Sequence, residues 1–166
     1  MFDVFREGGH DVPALYRTLG NSPAMLRAWT GLAWPLRNDA TTSRGLRELI
    51  IMRVAQLTGA AYEWLAHHDV AVRHGITTDQ LTELAQWQRS GCFSDEERDV
   101  LAMTDEITDK LEVSDATWAV ASARFSPGEL VELTLTAAYY CCVSRVLRTL
   151  RMPVDDGDAR LASFGR

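Results

Sequence analysis

The chain has 166 residues, 46% of them hydrophobic, which is enough for one globular domain with a substantial core. Its formal net charge of −6 sets it against nucleic acid and against an anionic membrane surface, since both would repel it. The three cysteines, Cys92, Cys141 and Cys142, are too few and too badly spaced for a secreted disulfide framework, and their odd number favours reduced thiols.

The chain opens with MFDVFREGGHDVP, which places acids and glycines where a leader peptide would carry a basic start and an apolar block. No apolar run reaches the roughly 20 residues that span a bilayer. Both points predict a cytoplasmic protein with no membrane partner. A short helix is expected over 12–19, entered through Pro13. Ser22 and Pro23 then form a helix start, a capping hydroxyl with proline at the first helical position. That helix carries Met25, Leu26, Trp29, Leu32 and Ala33, spaced as one buried stripe. A polar turn over 38–43 separates it from a helix over 43–58, and Gly59 suits the left-handed position that ends such a helix.

The next helix is expected over 60–74, ending at Gly75. Thr77 with Gln80, and Ser94 with Glu97, have the form of capping boxes. They predict a short helix through Trp87 and a longer one through Leu111. Ser114 caps another short helix ending near Arg124. Ser126, Pro127 and Glu129 make the most complete helix start in the chain. The helix they open, to about 150, is apolar or small on nearly every side and reads as the central buried helix. Pro153 and the acidic run after it finish the domain, leaving the last residues as a loose tail or a partner contact. No stretch shows convincing strand alternation. The expectation is an all-α fold in one domain over 1–166, with an arm over 1–20, a core over about 20–155 and a tail over 156–166.

One place brings acids and an imidazole within reach of a single point. Glu63 and His67 are four residues apart and share a helix face, and Glu48 in the preceding helix can fold back onto them across Gly59. The bland reading is a surface ion pair between Glu63 and His67, with Glu48 capping a neighbouring helix or pairing with Arg53. The sharper reading is a buried acid–base group, fit for moving protons to and from a carbon substrate. Glu48, Glu63, His67 and His68 are competent metal ligands, but no HExxH spacing supports a metal site. The adjacent cysteines do not make a CxxC pair. Tyr139 and Tyr140 lie in a buried helix, where a hydroxyl needs a partner. No motif implies a cofactor.

The stretch LRELIIMRVAQLTGAAYEWLAHHDVAVRHGIT resembles the core of the carboxymuconolactone decarboxylase family, which includes the alkylhydroperoxidase D-like proteins. The likeness extends to NSPAMLRAW before it and GELVELTLTAAYYCCVSRVLRTLRMPVD after it. In the peroxidase branch the motif is a glutamate, then CxxC, then a histidine; here those positions fall on Glu48, Ala60, Glu63 and His67. The thiols are missing, so the chain resembles a branch that lacks the redox pair.

The resemblance implies an alkylhydroperoxidase D-like helical bundle, assembled as a trimer or hexamer, with a pocket along this helix pair. It implies a cofactor-independent decarboxylase, lyase or isomerase acting on a small oxidised cyclic or lactone acid. His67, Glu63 and Glu48 are then the catalytic residues, and Tyr140, Tyr139, Arg53 and Trp34 bind substrate. A non-catalytic ligand-binding or assembly member of the family is the alternative, with a peroxidase the less favoured one.

Overall fold

The computed structural model describes residues 11–165; the expected arm therefore falls partly, over 1–10, outside the described residues. The described residues form helices joined by short loops, with no strand among them. In chain order the helices are α1 (Ala14–Leu19), α2 (Pro23–Asn38), α3 (Arg44–Thr58), α4 (Ala61–Arg73), α5 (Thr78–Glu83), α6 (Asp95–Lys110), α7 (Asp115–Arg124) and α8 (Pro127–Thr149). Short 3-10 turns follow α5 at Leu84–Gln86 and close the chain at Ala159–Ser163.

Side-chain caps set most of these boundaries. Thr77, Ser94 and Ser126 each accept from the third helical N–H, while Gln80, Glu97 and Glu129 reach back to the cap. Ser43 caps α3 through Leu46 N–H at 3.1 Å. Ser22 differs from expectation: its hydroxyl makes no capping bond, and Pro23 alone marks that start. Gly59 adopts φ 66°, as a left-handed helix end requires, and Ala60 N–H closes onto the Ala55 carbonyl at 2.8 Å. This tight link makes α3 and α4 a helical hairpin.

The central helix is α3 rather than α8. All ten residues from Leu46 to Ala55 are buried, with α4, α6 and α8 packed around them. Leu46, Ile50, Ile51 and Val54 face one apolar cluster shared with α8, while Leu49, Met52 and Ala55 face a second one built with Trp64, Leu81 and Leu101. Fully burying each of these leucine, isoleucine, valine and methionine side chains stabilises the fold by about 1.5–3 kcal/mol. Helix α8 keeps an outer face, where Val131 and Leu135 are exposed. It is nonetheless long and apolar enough to cross a membrane by length and composition, contrary to the sequence expectation, although 50% of its apolar window is buried in this fold.

Two further expectations need correction. The stripe on α2 is only half buried: among the described residues Leu26 and Ala33 face the core, where α2 packs chiefly on α1 and α8, while Met25 and Leu32 are exposed. The tail is docked rather than loose. Trp64 Nε1 donates to the Arg160 carbonyl at 2.9 Å, Gln56 Nε2 donates to the Phe164 carbonyl at 3.1 Å, and the Phe164 ring packs 5.2 Å from that of Trp64.

Candidate active site

The α3–α4 hairpin brings its acids and histidine together in the interior. Glu48, Glu63 and His67 are 0%, 3% and 6% exposed. His67 Nδ1 lies 2.7 Å from Glu48 Oε2, and His67 Nε2 lies 3.1 Å from Glu63 Oε1. The other Glu48 oxygen pairs with Arg44, one turn earlier on α3. From α8, the Tyr140 hydroxyl sits 3.4 Å from His67 Nε2, and the two rings meet edge to face at 5.2 Å. Arg37, at the end of α2, donates from Nε to the Tyr140 oxygen at 3.2 Å and from Nη1 to the Tyr16 hydroxyl at 2.8 Å.

The electrostatics follow from this geometry. Burial alone would push the His67 imidazolium toward its neutral form, but Glu48 and then Glu63 reverse that and raise its pKa to about 9. Burial likewise favours a protonated Glu48, yet His67 and Arg44 outweigh it and hold the carboxyl below its ordinary range. Burial pushes the Tyr140 hydroxyl well above the usual phenol value, so it stays protonated at neutral pH. The resting state therefore has an imidazolium held against the Glu48 carboxylate, with a neutral phenol beside it.

A cavity of about 680 Å³ opens onto this group. That volume suits a small organic molecule. Glu63 and His67 form part of its wall, Trp29, Tyr62 and Tyr16 give it aromatic sides, and Arg37, Arg44 and Arg47 line it as well. Any proton moved between His67 and Glu63 is thus delivered at a surface that a ligand touches. Cys92, Cys141 and Cys142 are not among the lining residues.

The expected site residues divide accordingly. Glu48, Glu63, His67 and Tyr140 converge, and Trp34 lies on the cavity wall although it is 48% exposed. Tyr139 does not line the cavity: its hydroxyl donates to the Trp29 carbonyl at 3.4 Å and its ring leans on that indole. Arg53 is not part of the group either. It forks onto Asp105, with Nε 2.6 Å from Oδ1 and Nη2 3.0 Å from Oδ2, and its Nη1 donates to Gln56 and to the Leu84 carbonyl. Five residues along a helix rotate a side chain by about 500°, which leaves Arg53 about 140° away from Glu48. Sequence reasoning missed Arg37, Arg44 and Arg47. The spacing of Arg44 four residues before Glu48 was an available signal.

Comparison with known proteins agrees with the architecture. The model of the carboxymuconolactone decarboxylase family matches residues 23–106, half of the chain, spanning α2 to most of α6. No curated protein matches the sequence. Solved structures do match the fold. One is a protein of unknown function from Agrobacterium tumefaciens, a candidate antioxidant defence protein AhpD. It has 22% identity and a TM-score of 0.76, over 83% of this chain and 97% of that one. A second is an uncharacterized peroxidase-related protein from Silicibacter sp. TM1040, with 17% identity and a TM-score of 0.81, over 93% and 83%. A third is an uncharacterized peroxidase-related protein from Ralstonia eutropha JMP134 described as an alkylhydroperoxidase AhpD core. It has 19% identity and a TM-score of 0.77, also over 93% and 83%. Identities this low speak to the fold alone, while the family model covers the hairpin that carries the acids and the histidine. On that match the chain belongs to the carboxymuconolactone decarboxylase family.

Proposed function

We propose that the protein is an acid–base enzyme that needs no organic cofactor and removes or relocates a proton or a carboxylate on a small oxidised cyclic or lactone acid. The observation that carries this reading is the buried Glu48–His67–Glu63 relay at the wall of an aromatic-sided cavity. In a decarboxylation, the bond from ring carbon to carboxylate breaks and its electron pair moves into the conjugated carbonyl as an enolate, releasing CO2. Reprotonation at carbon then draws the proton held between His67 Nε2 and Glu63 Oε1, and solvent restores it. Glu48 keeps the imidazole charged and fixes its orientation. The Tyr140 ring packs edge to face on the imidazole and helps to fix its plane.

A peroxidase reading is less well supported here. Ala60 and Glu63 stand where a CxxC pair would, and the cavity wall holds a carboxylate instead of thiols. The names carried by the structural relatives therefore do not transfer.

The test is a panel of unsaturated lactone acids incubated with enzyme and followed by mass spectrometry for loss of CO2 or for isomer formation. His67→Gln is expected to lower kcat by about 10²-fold or more on any acid that turns over. Unchanged turnover in that variant sinks the mechanism, and absence of both binding and turnover across the panel moves the assignment to a non-catalytic ligand binder.

A further inference from the structure

The positive charge around the cavity is not balanced by the acids that meet it. Arg44 pairs with Glu48, and His67 is held between Glu48 and Glu63, so two cations face two anions. Arg37 and Arg47 are left over. Among the described residues neither has a carboxylate within ion-pair distance. Arg37 is tied only to two phenol oxygens, those of Tyr140 and Tyr16. Arg47 is 3% exposed and donates from Nη1 to the Thr42 carbonyl and hydroxyl, and from Nη2 to the Arg37 carbonyl at 3.5 Å. Its Nε is buried with no hydrogen-bond partner. Glu132 and Glu48 both lend Arg47 favourable charge at a distance, but both are already engaged: Glu48 pairs with Arg44 and His67, and the two Glu132 oxygens accept from the N–H and hydroxyl groups of Thr41 and Thr42.

A guanidinium held out of water without a counter-ion is strongly unfavourable unless something supplies the missing charge. Both side chains line the same cavity as Glu63 and His67. The fork of N–H groups on arginine matches the two oxygens of a carboxylate better than it matches a point anion. We propose that Arg37 and Arg47 form a carboxylate-recognition subsite, which holds the acid group of a planar, ring-sized ligand while its ring lies between Trp29 and Tyr62. This deepens the acid–base reading, because it says which end of the substrate is held and which end meets the relay. A carboxylate that is to leave as CO2 gains nothing from strong ion pairing in the ground state, so the subsite recognises a carboxylate that is retained.

The probe is benzoate, titrated calorimetrically into the intact protein at pH 7, with benzamide as the neutral partner of the same shape. Benzoate is expected to bind at least about tenfold more tightly than benzamide, and Arg37→Met and Arg47→Met are each expected to weaken benzoate by about tenfold. Arg37→Lys and Arg47→Lys keep the charge and are expected to retain part of the preference, so the inference does not depend on the methionine variants folding. Equal binding of benzoate and benzamide, no binding of benzoate, or binding unchanged in both methionine variants overturns it. Displacement of benzoate by an equal concentration of chloride also overturns it, by marking a general anion trap. Because the readout is binding, a failure of lactone turnover leaves this inference standing, and a failure here leaves the proton relay standing.

Discussion

Helix α3 carries two arginines, Arg47 and Arg53, about 120° apart around its axis, and they end in opposite situations. Arg53 meets a carboxylate fork, an amide oxygen and a main-chain carbonyl, and Asp105 is further held by Trp87 Nε1 at 3.0 Å. Every part of that cluster is matched by protein, and it faces helix α6 and the turn after α5. Arg47, two turns earlier, keeps a buried Nε without a partner and faces a cavity. The same residue type is thus a closed structural fastening at one end of the helix and an open recognition group at the other. What separates the two is whether the protein completes the guanidinium's hydrogen bonding or leaves part of it for a ligand.

The largest effect that tests this contrast is at the closed end. Asp105→Ala leaves Arg53 charged, largely buried and uncompensated, and should cost about 3–5 kcal/mol in urea unfolding. A loss below about 1 kcal/mol would mean that the Arg53 cluster is no fastening at all.

The next effect concerns the relay beside the open end. The folded state raises His67 from its ordinary 6.5 to about 9, so its favourable contribution is complete below pH 6.5 and disappears as pH climbs through 9. Stability should therefore fall by on the order of 3 kcal/mol between pH 6.5 and 9.5. His67→Gln should flatten that part of the profile. A wild-type profile that is level over the interval would show that the imidazole is not held charged by its two acids.

The smallest effect belongs to the cavity rim. Trp34→Ala should change stability by no more than about 0.5 kcal/mol, because the side chain is half exposed, yet weaken a bound ring compound by a few-fold. Calorimetric binding and thermal melts on the same preparation separate the two. A large stability loss would place Trp34 with the core residues instead.

Much of the fold was legible because its signals are local. The capping boxes at Thr77, Ser94 and Ser126 and the left-handed Gly59 each act within a few residues, so sequence spacing carries them. The Glu48–Glu63–His67 group was legible for a related reason: one tight turn joins two helices that then have little choice but to face each other. Failures came where direction around a helix, or distance across the fold, decided the outcome. Arg53 shares a helix with Glu48 but points the other way. Met25 and Leu32 have core-like spacing, but among the described residues they stay exposed on an edge helix. Tyr140, by contrast, was among the expected residues, although its contact with His67 spans 73 residues of sequence. Arg37 gives no local signal, since its partners come from α1 and α8. The centrality of α3 over α8 was equally hidden, because an apolar composition does not report how many neighbours surround a helix.

The last turn of α2 also explains how three guanidinium groups share one cavity. The Arg37 carbonyl accepts from Arg44 Nη1 at 2.8 Å and from Arg47 Nη2 at 3.5 Å. That carbonyl belongs to the C-terminal end of a 16-residue helix, whose aligned peptide dipoles amount to roughly half a negative elementary charge at that end. The helix terminus therefore acts as a distributed counter-charge beside Arg44 and Arg47, adding to the Glu48 carboxylate that pairs with Arg44 and softening the mutual repulsion of the arginines. A real acid there would compete with any incoming anion, whereas a dipole does not. The position at which α2 stops, set by the Asn38–Asp39 turn, is in this sense a tuning element for the cavity's affinity.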